Sequence, residues 1–187
     1  MGKDKKQMKL GIISDTHDDV DNVRMAIEIF NREDVKYVIH AGDYVFPGIV
    51  MEFKRLNAKL IGVLGNNDGE KNQLLKAFLE VNGELKGELG DMSFDDLKIG
   101  IYHGTSNDIR NQLAGSGRYD ILVCGHTHRI EPADVGKRGT YPKDGSTLVL
   151  NPGTGHRKTE SEVRAFLEGG VIILNTEFKE FKFISLP

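Results

Sequence analysis

Five short polar clusters in this chain carry residue types that bind divalent metal ions, and each cluster follows an apolar run. The clusters are Ser14-Asp15-Thr16-His17, Gly42-Asp43, Gly65-Asn66-Asn67-Asp68, His103-Gly104 and Gly125-His126-Thr127-His128. Carboxylates, imidazoles and an amide oxygen suit first-row transition metals, and two such ions together can activate water against a phosphate ester. The clusters therefore predict a metal-dependent hydrolase whose target is a phosphate ester.

Asp43 is the strongest candidate for a ligand shared by two ions. Two metals roughly 3.5–4 Å apart require a bridging oxygen ligand, together with terminal ligands that leave positions open for water and substrate. A single carboxylate in a Gly-Asp turn can supply that bridge, because the glycine permits the tight turn that aims the side chain inward. The sequence therefore predicts Asp43 as the bridging ligand.

Strands and helices alternate in the first part of the predicted structure. The first apolar run, residues 9–13, precedes an amphipathic helix capped by Asp18 or Asp19. Two further apolar runs, residues 36–40 and 59–64, precede similar amphipathic segments. This alternation predicts a largely parallel sheet with right-handed crossovers. Ligands bind beyond the carboxyl ends of such strands, which is where the clusters lie.

The remainder of the chain is rich in strand-like segments. These segments are residues 97–102, 120–124, 147–150, 163–167, 171–174 and 181–183. They predict a second, mainly antiparallel sheet packed on the first, with a short helix near Ile109 and a long hairpin loop at residues 136–146 on the active face. The predicted fold is α/β, a four-layer α-β-β-α sandwich of two mixed sheets flanked by helices. We expect one domain over residues 1–187, with a disordered lead-in at residues 1–7.

Composition and charge narrow the class of protein. A net charge of −3 supplies no broad cationic field, which argues against binding of extended nucleic acid. No run approaches the roughly 18 consecutive apolar residues of a membrane span, and the first residues are too polar for a signal peptide. The single cysteine, Cys124, cannot form an internal disulfide. We therefore expect a cytoplasmic protein with no membrane segment.

Taken in order, the five clusters resemble the calcineurin-like metallophosphoesterase superfamily over residues 10 to about 155. The matching motifs are Asp15-x-His17, Gly42-Asp43, Gly65-Asn66-x-Asp68, His103-Gly104 and Gly125-His126-x-His128. The small size of the chain and its Asn151-Pro152-Gly153 turn are similar to the YfcE-type phosphodiesterase branch. Each motif is weak alone, but the five together in sequence are specific.

The resemblance implies two divalent metal ions per chain. One ion would be held by Asp15, His17, Asp43 and His128. The other would be held by Asp43, Asn66, His103 and His126. Manganese is the leading expectation, and nickel, iron, cobalt or zinc would suit the same ligands. The implied reaction is hydrolysis of a phosphate diester by a hydroxide that bridges the two metals, with no covalent enzyme intermediate.

Asn67 departs from the pattern of many members of that family, which carry a histidine at this position. The family histidine stabilises the transition state or protonates the leaving group, whereas an amide donates a hydrogen bond but cannot supply a proton. We therefore expect Asn67 to donate a hydrogen bond in the transition state, and we expect a phosphodiesterase rather than a general monoesterase. Asp68 is expected to orient a neighbouring ligand.

Other reactive residue types have simpler interpretations. His40 and His156 lie outside the motif pattern, and their roles stay open. The simpler interpretation of His40, at the end of an apolar run, is a buried structural histidine, and that of His156 is an exposed residue. Cys124 is expected to be a small buried apolar residue. Phe181 and Phe183 belong either to the core or to the edge of a homodimer. Solvation is the simplest role for the remaining cationic candidates, which are Arg110, Arg118, Arg129 and Arg138.

Three alternative functions stay open on the sequence alone. Retromer-subunit relatives of this fold are non-enzymatic protein-interaction scaffolds, although every implied ligand position has a suitable residue here. A nuclease would need a basic groove. A phosphomonoesterase would share the metal chemistry. The expected partner is a small phosphate-ester substrate, and the substrate-binding residues are unknown because they lie in loops at residues 105–117 and 131–146.

Overall fold

Twelve strands, three α-helices and one 3-10 helix occur among the residues that the structure describes. This computed structural model describes residues 8–94, 97–133, 138–142, 144–157 and 169–187. In chain order the elements are β1 (Lys9–Ile13), α1 (Val20–Arg32), β2 (Tyr37–His40), the 3-10 helix (Pro47–Arg55), β3 (Lys59–Gly62), α2 (Lys71–Glu80), β4 (Glu84–Leu85), β5 (Leu89–Phe94), β6 (Leu97–Tyr102), α3 (Asn107–Gly115), β7 (Ile121–Val123), β8 (Ile130–Glu131), β9 (Arg138–Thr140), β10 (Leu148–Pro152), β11 (Gly170–Asn175) and β12 (Glu180–Ser185).

The strands form two mixed sheets. The first sheet has the order β4-β3-β2-β1-β11-β12-β9, with parallel pairing from β4 to β1 and antiparallel pairing beyond β1. The second sheet has the order β5-β6-β7-β10-β8, with parallel pairing among its three central strands and antiparallel pairing at both ends. Both sheets therefore contain the parallel strand ends that can carry a site.

Three apolar clusters hold the layers together. Strand alternation sends Ile12 into the cluster between the two sheets and Ile13 into the cluster beneath α1, α2 and the 3-10 helix. The outer face of the second sheet buries Leu122 and Cys124 beside Leu113 of α3. The prediction of a four-layer α-β-β-α sandwich is thus confirmed. Within the described ranges, no helix combines the length and the apolar character needed to cross a bilayer.

Local signals in the sequence agree with the structure at the first helix. Asp19 is the N-cap of α1, and its side chain accepts a hydrogen bond from the backbone N–H of Asn22 at 3.1 Å. That bond satisfies one of the N–H groups that a helix start leaves without an intrahelical partner. The N-cap places the helix directly after the first polar cluster.

The predicted second sheet was right for the runs at 97–102, 120–124 and 147–150, which form β6, β7 and β10, but wrong for two other runs and for the strand direction. The apolar runs at 171–174 and 181–183 belong to β11 and β12, which extend the first sheet because β11 pairs with β1, far away in sequence. The second sheet is parallel at its centre rather than mainly antiparallel. Since Phe181 and Phe183 are buried between the sheets, they belong to the core and do not offer a homodimer edge.

The structure also differs from the predictions for two other segments. Residues 138–140 of the predicted hairpin loop form the edge strand β9, which pairs with β12. The amphipathic segment after the second cluster is a 3-10 helix that begins at Pro47. The predicted lead-in at residues 1–7 and the predicted strand at 163–167 lie outside the described residues.

Candidate metal centre

The five clusters converge where strands of the two sheets end. Two groups of three residues each have ligand atoms that all lie within 4.8 Å of one another. The first group is Asp15, His17 and His128, and the second is Asp15, Asp43 and His103. The five sequence clusters thus supply neighbouring side chains from both sheets.

The backbone at these positions is unusual. Five of the seven expected ligands have positive φ values in or near the left-handed region, namely Asp15 (53°), His17 (39°), Asp43 (60°), His126 (69°) and His128 (54°). Such values are uncommon for residues other than glycine, and they concentrate at functional sites because the surrounding fold must hold them there. The local sequence alone would not favour this geometry.

One part of the site, which we call the His17 half, comprises Asp15, His17 and His128. The Nε2 atoms of His17 and His128 are 3.3 Å apart, and His128 Nε2 is 3.3 Å from Asp15 Oδ1. Asp15 is fully buried, and its carboxylate also accepts the backbone N–H of His126 at 3.0 Å. The two imidazoles are half-buried, so this half opens toward the rim of the site.

The other part, which we call the His103 half, comprises Asn66, His103 and His126. Nε2 of His103 lies 3.1 Å from Asn66 Oδ1, and Nδ1 lies 2.8 Å from the carbonyl oxygen of Ala41. Because a carbonyl can only accept, Nδ1 carries the proton, and Nε2 keeps the position from which a metal is bound. The ring of His126 packs edge-on against His103, with centroids 5.3 Å apart. Among the described residues, the His126 ligand atoms join neither 4.8 Å group.

Asp43 lies between the two halves. Its Oδ2 atom is 3.4 Å from Nε2 of His103 and 3.8 Å from Nε2 of His17. Asn67 contacts the same carboxylate twice, through a backbone N–H at 2.9 Å to Oδ1 and a side-chain N–H at 2.7 Å to Oδ2. The expected transition-state hydrogen bond of Asn67 therefore stays a prediction, because its amide holds Asp43 in this structure.

Asp68 ties together the two loops that carry Asp43 and Asn66. Its buried carboxylate accepts four backbone hydrogen bonds. The donors are the N–H groups of Asp43 at 2.9 Å, Tyr44 at 2.8 Å, Val45 at 2.9 Å and Gly65 at 2.7 Å. This carboxylate is thereby committed to the backbone and orients the loop that bears Asp43.

The spacing of the donor atoms fits metal ions. Two donors bound to one ion, each about 2.0–2.2 Å from it, lie roughly 3–3.5 Å apart. Four contacts fall in that range: His103 with Asn66 at 3.1 Å and with Asp43 at 3.4 Å, and His128 with His17 and with Asp15 at 3.3 Å each. Nε2 of His17 lies farther, at 3.8 Å, from both Asp15 Oδ1 and Asp43 Oδ2. The set combines imidazole nitrogen with carboxylate and amide oxygen, which suits divalent transition metals. The residues present therefore fit a metal group.

The charges of the site favour ionised carboxylates. Burial raises the pKa of Asp15, but hydrogen bonds from His128 and His17 outweigh burial, and the pKa lies well below its usual value. Burial likewise raises the pKa of Asp43, and contacts with His103 and Asn67 lower it below its usual value. For His103, burial lowers the pKa, whereas the hydrogen bond with Asp43 and the charge of Asp15 raise it above its usual value. Two adjacent buried carboxylates thus remain negative, as a cation site requires.

His40 is a buried structural histidine that hydrogen-bonds to residues of the first two clusters, as the sequence interpretation has it. Its Nδ1 accepts the backbone N–H of Gly42 at 3.2 Å, so Nε2 donates to Thr16 Oγ1 at 3.0 Å. The ring stacks on Tyr44 with centroids 3.9 Å apart. Burial lowers the pKa of His40 to about 3, so the ring is neutral and links the first two clusters.

His156 lies beside the candidate site and is not the exposed residue that the sequence suggested. Its ring is half-buried and packs edge-on against His17 and His128, with centroid distances of 4.9 Å and 5.3 Å. Its Nδ1 atom lies 3.1 Å from the carbonyl oxygen of Asp15. Sequence reasoning missed this residue because these partners are 28 to 141 positions away along the chain. The only local signal was that it follows the Asn151-Pro152-Gly153 motif, whose first two residues end strand β10 and do not form the predicted turn.

The remaining reactive candidates have structural contacts. Arg110 pairs with Glu131, joining α3 to β8. Arg118 lies over the ring of Tyr119, 5.1 Å from its centroid, at an exposed position. Burial raises the pKa of the Cys124 thiol to about 12, so this cysteine is an apolar residue and not a nucleophile.

Comparisons with known proteins identify relatives over nearly the whole chain. The family model of the calcineurin-like phosphoesterase superfamily domain matches residues 8–176. Phosphodiesterase MJ0936 of Methanocaldococcus jannaschii is 39% identical over 182 residues, which cover 96% of this chain and 99% of that protein.

Solved structures agree with these matches. An archaeal phosphodiesterase superposes with a TM-score of 0.78 at 37% identity, covering 96% of this chain and all of that one. YfcE, a phosphoesterase from E. coli, has a TM-score of 0.61 at 20% identity over 90% of this chain and 89% of that one. Vps29 from Cryptosporidium parvum has a TM-score of 0.61 at 21% identity over 90% and 85%. The last two show a shared fold alone.

Proposed function

This chain belongs to the calcineurin-like phosphoesterase superfamily, and from that premise we propose that it is a metal-dependent phosphodiesterase. The observation that supports this function most directly is the convergence of imidazoles on Asp43, whose Oδ2 lies 3.4 Å from His103 Nε2 and 3.8 Å from His17 Nε2. The name of the M. jannaschii relative supports diester hydrolysis in particular. The substrate would be a small phosphate diester, and residues 1–187 would act as one domain.

Two divalent ions would occupy the centre, with manganese as the leading candidate. Asp15, His17 and His128 would hold one ion, Asn66, His103 and His126 would hold the other, and Asp43 would contact both. When bound, the ions supply Lewis acidity, which lowers the pKa of water and neutralises charge on the phosphate oxygens. The donor set does not distinguish manganese from nickel, iron, cobalt or zinc.

The protein side chains contribute orientation and charge. Ala41 holds His103 through its carbonyl oxygen, and Asp68 holds the Asp43 loop through four N–H groups. Asp43 stays ionised because of His103 and Asn67. These contacts fix the donors before substrate arrives, so the phosphorus can be presented in line with attacking and leaving oxygens.

Asn67 favours diesters with good leaving groups. An amide can donate a hydrogen bond to a phosphate oxygen but cannot deliver a proton to an alkoxide at ordinary pH. The replacement Asn67→His should therefore raise turnover of monoesters relative to diesters. A ratio of monoester to diester rates that does not change would contradict this role for Asn67.

The test of the proposed function is a metal-by-substrate panel. Bis(p-nitrophenyl) phosphate and p-nitrophenyl phosphate are assayed with the metal-free protein after addition of Mn²⁺, Ni²⁺, Co²⁺, Zn²⁺ or Fe²⁺. The expected result is metal-dependent hydrolysis that prefers the diester and falls on the order of 10³-fold in Asp43→Asn, the size of effect seen when transition-state electrostatics are removed.

The matched control is Asp91→Asn, because Asp91 is an exposed carboxylate on β5 away from the clusters. This variant should keep wild-type activity. Full metal-dependent activity in Asp43→Asn would show that Asp43 is not the shared ligand. No hydrolysis of either ester with any of the ions would overturn the proposed function.

A further inference from the structure

His17 and His103 are oriented by different kinds of contact. Nδ1 of His103 donates to the Ala41 carbonyl. In the part of the chain that the structure describes, Nδ1 of His17 makes no hydrogen bond, and the ring of His17 instead packs between two other imidazoles. Those rings belong to His128, at 5.2 Å between centroids, and to His156, at 4.9 Å.

Hydrogen bonds to one carbonyl oxygen fix the segment that carries His156. Nδ1 of His156 lies 3.1 Å from the carbonyl oxygen of Asp15, and the same oxygen accepts the N–H of Gly155 at 3.1 Å. Thr154 is fully buried, and its hydroxyl donates to that carbonyl at 3.3 Å. The segment around His156 is therefore fastened directly to the backbone of a predicted ligand.

Two further contacts tighten this attachment. A Cβ added at Gly155 would lie 2.6 Å from the carbonyl oxygen of Ser14, so only glycine permits such a close approach of the two segments. On the other side of His156, the N–H and Nε of Arg157 donate to Asp19 Oδ2 at 2.8 Å and 3.0 Å. His156 is thus held from both sides against the loop that carries Asp15 and His17.

We propose that His156 is a positioning residue of the metal centre, whose ring sets the orientations of the His17 and His128 imidazoles. The interplanar angles of 81° with His17 and 71° with His128 are edge-to-face arrangements, which aromatic rings favour. A ring rotation in either ligand would lose this packing. Loss of the His156 ring therefore lowers the metal affinity of the His17 half and leaves the His103 half unchanged. The inference rests on the proposed assignment of metal ligands, but it does not require diesterase activity.

The experiment measures Mn²⁺ binding to metal-free full-length protein in the absence of substrate. In the His103→Ala background, which retains the His17 half, titration of Mn²⁺ is followed calorimetrically and by electron paramagnetic resonance. Adding His156→Ala should weaken Mn²⁺ binding roughly tenfold or more, the range seen when a partner of a metal ligand is removed. The matched variant His156→Phe keeps an aromatic ring and should retain most of the affinity.

A second variant shows whether the effect of His156 on Mn²⁺ affinity is confined to the His17 half. In His17→Ala, which retains the His103 half, His156→Ala should change Mn²⁺ affinity less than about twofold, because His156 does not contact that half. The thermal midpoint of each metal-free variant is recorded alongside. If His156→Ala fails to fold, His156→Phe and His156→Leu are compared instead, since only the first presents a ring.

Several results would overturn the proposal. Equal Mn²⁺ affinity with and without His156 in the His103→Ala background would exclude a positioning role, as would equal affinity for the Phe and Leu variants. Activity lost at saturating Mn²⁺ with affinity unchanged would mean that His156 contacts substrate instead. Absence of Mn²⁺ binding in His103→Ala would contradict the division into two halves. A protein that binds Mn²⁺ as expected but hydrolyses no ester would refute the proposed function and leave this inference intact.

Discussion

The two halves of the candidate metal centre are built in different ways. His103 is buried, and the Ala41 carbonyl fixes its ring through Nδ1. The side chains of His17 and His128 are 24% and 21% exposed, and ring packing surrounds them. His103 is thus oriented by a backbone hydrogen bond inside the core, whereas the imidazoles of His17 and His128 pack against other rings at the rim. Two expected ligand sets of similar composition can therefore differ in how firmly their imidazole rings are oriented.

The largest expected effect comes from a change that loosens both halves together. Asp68→Ala removes the acceptor of four backbone N–H groups, one of them on Asp43 and one on Gly65 beside Asn66. Because each buried donor left without a partner costs about 1–3 kcal/mol, unfolding in urea should show a loss of about 4 kcal/mol or more. Asp68→Asn, which keeps an acceptor oxygen, should lose less. A loss below about 1 kcal/mol in Asp68→Ala would contradict this role.

The next effect is a pH dependence of the free energy of unfolding, which comes from His40. The pKa of His40 is about 3 in the folded protein and is ordinarily about 6.5. Its contribution to stability is therefore complete above pH 6.5 and is lost as the pH falls toward 3, since only the unfolded chain then binds the proton. The slope is up to about 1.4 kcal/mol per pH unit. Urea unfolding from pH 7 to 4.5 should show a shallower pH slope in His40→Gln than in the wild type; equal slopes would contradict the buried neutral state.

The rates of metal release from the two halves test the proposed difference in rigidity directly. Manganese should leave the His17 half at least about tenfold faster than the His103 half when excess chelator is added, because ring packing orients His17 and His128 whereas a backbone hydrogen bond fixes His103. Stopped-flow measurement should then show two phases. His103→Ala should abolish the slow phase and His17→Ala the fast one. A single phase in the wild type, or the reverse assignment, would remove the proposed difference in rigidity.

The smallest effect concerns the ion pair beside His156. Arg157 has a side chain that is 63% exposed, so its contact with Asp19 is screened by solvent. Arg157→Met should therefore cost no more than about 1 kcal/mol in urea unfolding. Its effect on Mn²⁺ affinity should be well below that of His156→Ala, because the backbone bonds to the Asp15 carbonyl remain. An effect as large as that of His156→Ala would mean that the ion pair, rather than the backbone, fixes the ring.

The ligand candidates could be predicted because each belongs to a local pattern. Asp15, Asp43 and His103 each follow an apolar run that forms a strand, and parallel strand ends gather such residues at one edge. The helical periodicity after the first cluster and the cap at Asp19 are equally local. For these features the information lies within a few residues, so the sequence suffices.

The remaining features depend on contacts between distant segments. β11 joins the first sheet because Ile172 pairs with Ile12, and no local pattern specifies that partner. His156 enters the site only because the segment that follows β10 folds against the loop of Asp15. Asn67 was assigned from its position in a motif, whereas its contact with the Asp43 carboxylate requires the folded loop. Tertiary pairing decides each of these cases.

The left-handed backbone at five of the expected ligand residues has a thermodynamic consequence. Conformations of this kind cost of order 1–3 kcal/mol each for residues other than glycine, so an isolated loop would seldom adopt them. In the folded chain the two sheets and the Asp68 carboxylate impose them. The entropy of ordering these loops is therefore lost when the chain folds and not when an ion binds. The candidate centre is therefore preorganised: the fold already bears the cost of ordering the expected ligands, and the free energy of binding a metal ion would not have to include that cost.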